Sequence, residues 1–263
     1  MRAGLPLLAV WALATPLRAQ EVLQQAPFFT TPREVVSQML LLARAGPGDT
    51  VMDLGAGDGR IVIQAAVERG AQGLGVELDA SLVERARANA RRAGVADRVR
   101  FRMEDLMRAD LSGATVITAY LVPYQLERLE PRLLAGPRPG TRIVTHYFSL
   151  PNWPQDAMRE VQVSEDGARR PRTSRIFLYV VPAQARGEWR AADGWQLRIE
   201  QNFQKIEVRA SREGTALAVS SARLAGERID IGGPDFSLSA RVADGRIVGE
   251  LAGGRPVVFE RAR

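Results

Sequence analysis

One heptapeptide, Asp53-Leu54-Gly55-Ala56-Gly57-Asp58-Gly59, constrains this chain more than any other feature. The residues leading into it, Thr50 to Leu54, read as a short buried strand. Those leaving it, Arg60 to Arg69, read as a helix with Ile61, Ala65 and Glu68 spaced along it. Glycines at a strand-to-helix turn let the backbone approach a ligand closely and adopt dihedrals barred to other residues. A dinucleotide-binding G-x-G-x-x-G turn would need its third glycine where Arg60 stands. The order here is G-x-G-x-G, with an acid two residues ahead of it. A pyrophosphate wants backbone N–H groups and positive potential, whereas a carboxylate beside the turn suits a cationic amino group. The ligand expected is therefore a nucleoside bearing an amino acid rather than a dinucleotide.

The turn sits in a regular alternation. Thr31-Pro32-Arg33-Glu34 has the form of a helix start, with Thr31 as cap and Glu34 completing a capping box. Val35, Val36, Met39, Leu40 and Ala43 follow on one helical face. Gly73 to Leu78 reads as a second strand, and Asp79 caps a helix running to Arg92, with Gly94 suited to its C-terminal αL position. Strands are then expected at Val99–Met103, 116–122, 141–148 and 176–181, with a helix over 125–134. Near-continuous apolar strands separated by helices predict an α/β, Rossmann-like, doubly wound and mostly parallel sheet over residues 20–182. Such a sheet takes ligands beyond the carboxyl ends of its strands. After Pro182 seven short strand candidates alternate with turns such as Asp193-Gly194, Asp244-Gly245 and Gly253-Gly254. They predict a small all-β sandwich or barrel over 187–263, with no helix and no catalytic constellation.

Two further acids follow successive strands. Glu77 closes the second, where a carboxylate can accept both hydroxyls of a ribose; NAD enzymes use an acid at the same place, so Glu77 alone leaves the cofactor open. Asp105 follows the third, placed to accept an adenine amine. With these three acids and the glycine turn on the page, the stretch from Thr50 to Leu106 resembles the class I, seven-stranded S-adenosylmethionine-dependent methyltransferases. That resemblance implies that Asp53, Gly55, Gly57 and Gly59 hold the methionine part, Glu77 the ribose, and Asp105 with Leu106 the adenine. A fuller pattern adds Pro27 to Pro32, Asp105 to Leu111, Gly140 to Phe148, and Leu150 to Pro154. It resembles a bacterial branch related to mitochondrial protein-lysine methyltransferases. In those relatives the segment containing Thr31 borders the cofactor, so the acceptor implied is a protein lysine. The β module lies outside that likeness.

Composition removes most other chemistries. There is no cysteine and one histidine, His146, which excludes disulfide frameworks, Cys nucleophiles and Cys/His zinc sites, and no metal is expected. Methyl transfer needs no covalent nucleophile, since the cofactor carries the reactive group. Candidates to line an acceptor channel follow strands four and five: Tyr120, Pro123 and Tyr124, then His146, Tyr147, Phe148 and Trp153, with ordinary packing the alternative for Tyr120 and Tyr124 and the favoured reading for Trp153. Tyr120 to Tyr124 occupies the place where amine-methylating enzymes often carry Asn/Asp-Pro-Pro-Tyr, but lacks the Asn/Asp and the first Pro. Catalytic candidates are Tyr120, Tyr124 and His146, the last as a base or as a structural group. The formal charge is +6 with Lys205 the single lysine, and the arginines are scattered among acids, which argues against a nucleic-acid footprint. Residues 1–19, with Arg2 before the apolar run from Leu5 to Leu17, read as a signal peptide and imply export to the periplasm. The alternative is an uncleaved leader tethering a cytoplasmic domain to the membrane. Two rival functions stand beside protein-lysine methylation: an exported binding or scaffold protein without turnover, and a small-molecule methyltransferase. A nicotinamide dehydrogenase is disfavoured by Arg60.

Overall fold

A computed structural model describes residues 30–164 and 172–262. The leader at 1–19 and the Pro27-Phe28-Phe29 part of the motif lie outside the described residues. The first half forms a seven-stranded sheet in the order β3-β2-β1-β4-β5-β7-β6. Its strands are β1 (Thr50–Leu54), β2 (Gln72–Glu77), β3 (Val99–Met103), β4 (Val116–Ala119), β5 (Arg142–His146), β6 (Ala157–Val163) and β7 (Arg172–Val180). All neighbours pair in parallel except β7, which runs antiparallel to β5 and β6. The strand order reverses between β1 and β4, which opens a crevice at their carboxyl ends.

Alternate strand residues feed two cores. Val51, Val116 and Val144 face α1 (Arg33–Leu42), α2 (Arg60–Arg69) and α3 (Ala80–Arg92). Met52, Leu54, Ile117 and Ile143 face α4 (Pro123–Ala135), with Leu150, Trp153 and Tyr179 in the same cluster. Burial on both faces is the reason these strands read as unbroken apolar runs.

The local expectations hold at α3: Asp79 accepts from Ser81 N at 2.7 Å and Leu82 N at 3.3 Å, and Gly94 takes φ +69°. They fail at α1. Pro32 stands at the N-cap and, among the described residues, no side chain caps the helix. The Thr31 hydroxyl lies instead 3.2 Å from His146 Nδ1, a buried partner that outcompetes the capping geometry.

Strands β8 (Gly187–Ala191) to β16 (Arg255–Arg261) make one nine-stranded, entirely antiparallel sheet, ordered β11-β10-β9-β8-β16-β15-β14-β13-β12. Within it β9 is Trp195–Asn202, β10 Lys205–Arg212, β11 Thr215–Leu217, β12 Ser221–Ala225, β13 Arg228–Gly232, β14 Ser237–Ala243 and β15 Arg246–Leu251. The sheet curls until β10 and β12 approach each other around a core of Trp189, Trp195, Ile229, Ile247 and Phe259. It is a single curled sheet, not a two-sheet sandwich.

Candidate functional site

The catalytic end lies where the parallel strands finish, and two groups of side chains meet there. The first is built around the glycine turn. Gly55, Gly57 and Gly59 have φ of +80°, +54° and +79°, and the N–H groups of Gly55 and Ala56 both donate to Val76 O at 2.9 Å. Positive φ at all three is the physical demand that the glycines meet. The turn is also packed from below: a Cβ on Gly59 would lie 2.5 Å from the Phe101 ring, and one on Gly75 would do the same.

Asp53, 2% exposed, is the penultimate residue of β1, beneath this turn. Its Oδ1 accepts from Thr118 Oγ1 at 2.7 Å. Burial raises its pKa to about 7; the Thr118 bond opposes this, while the nearby Glu77 and Asp58 carboxylates add to it. Among the described residues this buried acid has carboxylates nearby and a neutral hydroxyl as its partner, and an ammonium or sulfonium group is the ligand charge that fits.

Glu77 braces the turn from β2. Oε2 accepts from Gly57 N at 2.9 Å, and Oε1 from Leu78 N at 2.8 Å and Asp79 N at 3.0 Å. Oε2 therefore keeps an acceptor position for a ligand hydroxyl. Asp58 pairs with Arg60 at 2.7 Å; burial pushes its pKa up, but the guanidinium holds it below the usual carboxylate value. Asn89 Nδ2 donates to the Asp58 carbonyl at 2.8 Å, locking the turn to α3.

Asp105 and Leu106 stand beyond β3. Asp105 Oδ1 accepts from Met107 N at 2.8 Å, and Arg132 on α4 donates to the carbonyls of Leu106 at 3.1 Å and Ala109 at 2.7 Å. Leu106 Cδ2 comes within 4.0 Å of the position a Gly55 Cβ would take, so it belongs with the glycine turn.

The second group follows β4 and β5. The Tyr120 and His146 rings lie 4.1 Å apart at 46°, and Tyr147 meets His146 edge-on at 6.4 Å. Burial raises the Tyr120 pKa, with Tyr147 contributing. His146 is 2% exposed; besides Thr31 at Nδ1, it has Ser174 Oγ 3.2 Å from Nε2. Burial lowers its pKa to about 4, so it is neutral at pH 7 with both nitrogens engaged. Tyr147 has φ +69°, and Phe148 N donates to His146 O at 2.9 Å across it. That is a γ-turn of the rarer, strained form, and it leaves Tyr147 52% exposed. Tyr124, in the first turn of α4, is 48% exposed.

The two groups are joined through the N-terminal segment, because Arg60 Nη1 donates to Thr31 O at 3.1 Å while Thr31 contacts His146. Sequence reasoning missed Thr118, Ser174, Asn89 and Phe101. Thr118 is a polar residue in an apolar strand, and only its register opposite Asp53 reveals its role. Trp153 is buried on the α4 side of the sheet, against Tyr179 and Phe203, and not in the tyrosine cluster. Among the described residues no group of three or more His, Asp or Glu side chains is placed to hold a metal ion.

The chain is similar to several known methyltransferases. The ANTKMT methyltransferase domain matches residues 53–157. A protein-lysine N-methyltransferase of Saccharolobus islandicus is 36% identical over 156 residues, covering 59% of this chain and 93% of the relative. The adenine nucleotide translocase lysine N-methyltransferase of Mus musculus is 35% identical over 180 residues, covering 68% of this chain and 74% of the relative. A solved RNA methyltransferase from Salinibacter ruber, in complex with S-adenosyl-L-homocysteine, is 44% identical with a TM-score of 0.53, covering 59% of this chain and 95% of that one.

Proposed function

Because this chain belongs to the family of protein-lysine N-methyltransferases that carries the ANTKMT methyltransferase domain, and is an S-adenosylmethionine-dependent methyltransferase, we propose that it transfers a methyl group to a lysine amine of a protein. The observation that carries the residue assignments is the buried Asp53 carboxylate, with no cation beside it among the described residues, under a turn of positive-φ glycines braced by Glu77.

In this reading Asp53 and the Gly55, Gly57 and Gly59 backbone hold the amino-acid end of the cofactor. Glu77 takes the ribose, and Asp105 with Leu106 takes the adenine. Bound there, S-adenosylmethionine supplies an electrophilic methyl group, and the protein's work is alignment and exclusion of water. A free lysine has a pKa of about 10.4, so presenting it neutral at pH 7 costs roughly 4.6 kcal/mol. Tyr120, Tyr124 and Tyr147 at the mouth lower that cost by desolvating the ammonium, which disfavours its charged form. His146, neutral and bonded on both sides, positions Tyr120 and Tyr147 rather than removing the proton. Thr31 ties that cluster to the first turn of α2.

The second reading, an RNA acceptor, is favoured by the 44% identical structure. Labelled methyl transfer from S-adenosylmethionine into a total lysate separates the two. Label that resists nuclease, is lost with protease and appears as methyl-lysine on hydrolysis supports the protein acceptor; nuclease-sensitive label overturns it. Self-labelling is easily recognised, since Lys205 is the chain's single lysine. The apolar run at 5–17 supports action in the envelope or from a membrane tether, and N-terminal sequencing with fractionation tests that reading.

A further inference from the structure

The curled C-terminal sheet grips the catalytic domain through a residue that defies its own backbone. Phe203 is the first corner of the two-residue turn between β9 and β10, with φ +54°, while Gln204 has no positive φ. That is the pattern of a type II′ turn, whose first corner is a glycine position. A phenylalanine there is strained. Its ring stacks on Trp153 at 5.6 Å and 15°, and Trp153 is 1% exposed with no acceptor for its Nε1 among the described residues. Neither the turn nor the indole N–H is served by this arrangement; the stack is.

The grip is rigid. Gln204 Nε2 donates to Val180 O at 2.8 Å and its Oε1 accepts from Gly226 N at 3.2 Å. Gly226 abuts the catalytic domain so closely that a Cβ there would lie 2.7 Å from Gly140 Cα.

Trp153 belongs to a strap, residues 147–156, that leaves β5 at the catalytic end and descends to the start of β6 at the opposite end. Tyr147 and Phe148 form its upper end, in the strained γ-turn. Its middle is pinned by Leu150 N to the Tyr179 hydroxyl at 2.8 Å and by Asn152 N to Glu130 Oε2 at 3.0 Å. Its lower end is Trp153 under Phe203. We infer that Phe203 is a positioning residue for the acceptor mouth: the C-terminal sheet clamps the foot of the strap and so holds Tyr147 and Phe148 in place. The inference rests on the proposed reading of the catalytic end, and deepens it by giving the C-terminal sheet a part in acceptor presentation.

The experiment is hydrogen exchange on the full chain, alongside calorimetry with S-adenosylhomocysteine, for Phe203→Gly, Phe203→Ala and Phe203→Tyr. Phe203→Gly relieves the turn and removes only the stack, so it guards against simple misfolding. The glycine and alanine variants are expected to exchange the Tyr147 and Phe148 amides at least tenfold faster. Amides of β1 and β2 and the affinity for S-adenosylhomocysteine stay within twofold of wild type, and Phe203→Tyr behaves as wild type. Unchanged exchange over 147–153 in a folded Phe203→Gly overturns the inference. So does acceleration spread equally over β1 and β2 with loss of binding. Wild-type protein that fails to bind S-adenosylhomocysteine counts against the proposed function alone, because the exchange readout needs no ligand.

Discussion

Thr118 and Asp53 face each other in register across β4 and β1, and the threonine hydroxyl donates to the carboxylate at 2.7 Å. The pair defines what the site lacks. With burial and neighbouring carboxylates raising Asp53 to about 7, the unliganded pocket is under electrostatic load. Asp53→Asn keeps an acceptor for Thr118 and removes that load. A carboxyl whose folded pKa is raised makes its stabilising contribution below its ordinary value near 3.8, and that contribution is lost as pH climbs to about 7. The loss is at most on the order of 4 kcal/mol. The variant is therefore expected to melt higher than wild type at pH 8 without ligand, and to bind S-adenosylhomocysteine about 100-fold more weakly. A lower melting temperature with affinity retained would contradict both halves.

Ligand affinity should carry the same signature. A cationic amino acid selects the ionised carboxylate, so wild-type affinity rises roughly tenfold per pH unit between about 5.5 and 7 and levels off above. The protein releases a proton on binding at pH 6, seen as a dependence of the calorimetric heat on the buffer's ionisation enthalpy. Asp53→Asn flattens the profile. A flat wild-type profile would remove the charge argument for Asp53.

Glu77 differs from Asp53 in being woven into the backbone. Three N–H groups, of Gly57, Leu78 and Asp79, terminate on its carboxylate. Glu77→Gln replaces one charged oxygen by an amide N–H that must face a donor, and bonds to charged groups are worth about 1.5–3 kcal/mol. Affinity for S-adenosylhomocysteine is expected to fall by about 10- to 100-fold, with a melting temperature several degrees lower, opposite in sign to Asp53→Asn.

Phe101 explains why two glycines far apart in sequence are required together. Its ring lies where a Cβ of either Gly59 or Gly75 would go, at 2.5 Å from each, and Gly59 also has φ +79°. Overpacking costs about 1–3 kcal/mol. In a double-mutant cycle by chemical denaturation, Phe101→Leu should recover part of the Gly75→Ala loss, with a coupling of about 1 kcal/mol or more. It should recover less of the Gly59→Ala loss, since the backbone strain there remains. Equal recovery would mean that space alone fixes Gly59.

These dependencies mark what the chain's letters could disclose. The β1–turn–α2 unit, the Asp79 cap and Gly94 were legible because each is a local demand that few residue types meet. The edge strand β6 was not: five of its seven residues escape full burial, so neither alternation nor an apolar run marks it. The short strands β8 and β12 escaped notice for the same reason of length and exposure. Strand spacing after Pro182 fixed the class but not the closure, because a sandwich and a curled sheet share the same turn rhythm. Tyr147 and Phe203 were hidden by the opposite effect. Both hold positive φ without being glycine or asparagine, so tertiary contacts override the local preference. Thr31 has the local form of a cap, but its hydroxyl partner, His146, is 115 residues away and no local pattern marks it.

His146 is the chain's single histidine, so its imidazole gives a single pair of ring proton resonances in a tag-free protein. With Thr31 and Ser174 at its two nitrogens and burial lowering its pKa to about 4, those resonances should titrate far below the ordinary 6.5. A histidine depressed in the folded state contributes stability that is complete above its ordinary value and is lost as pH falls from 6.5 toward 4. That loss, at most about 3 kcal/mol, runs against the Asp53 effect over the same range. Asp53→Asn, relieved of its own term, should therefore show a steeper acid decline in melting temperature between pH 6.5 and 4 than wild type. Methyl transfer between pH 6 and 8 should carry no inflection from this imidazole, because it stays neutral throughout. A ring titration midpoint near 6.5 would show that solvent reaches His146 and would restore it as a candidate for the proton-accepting base.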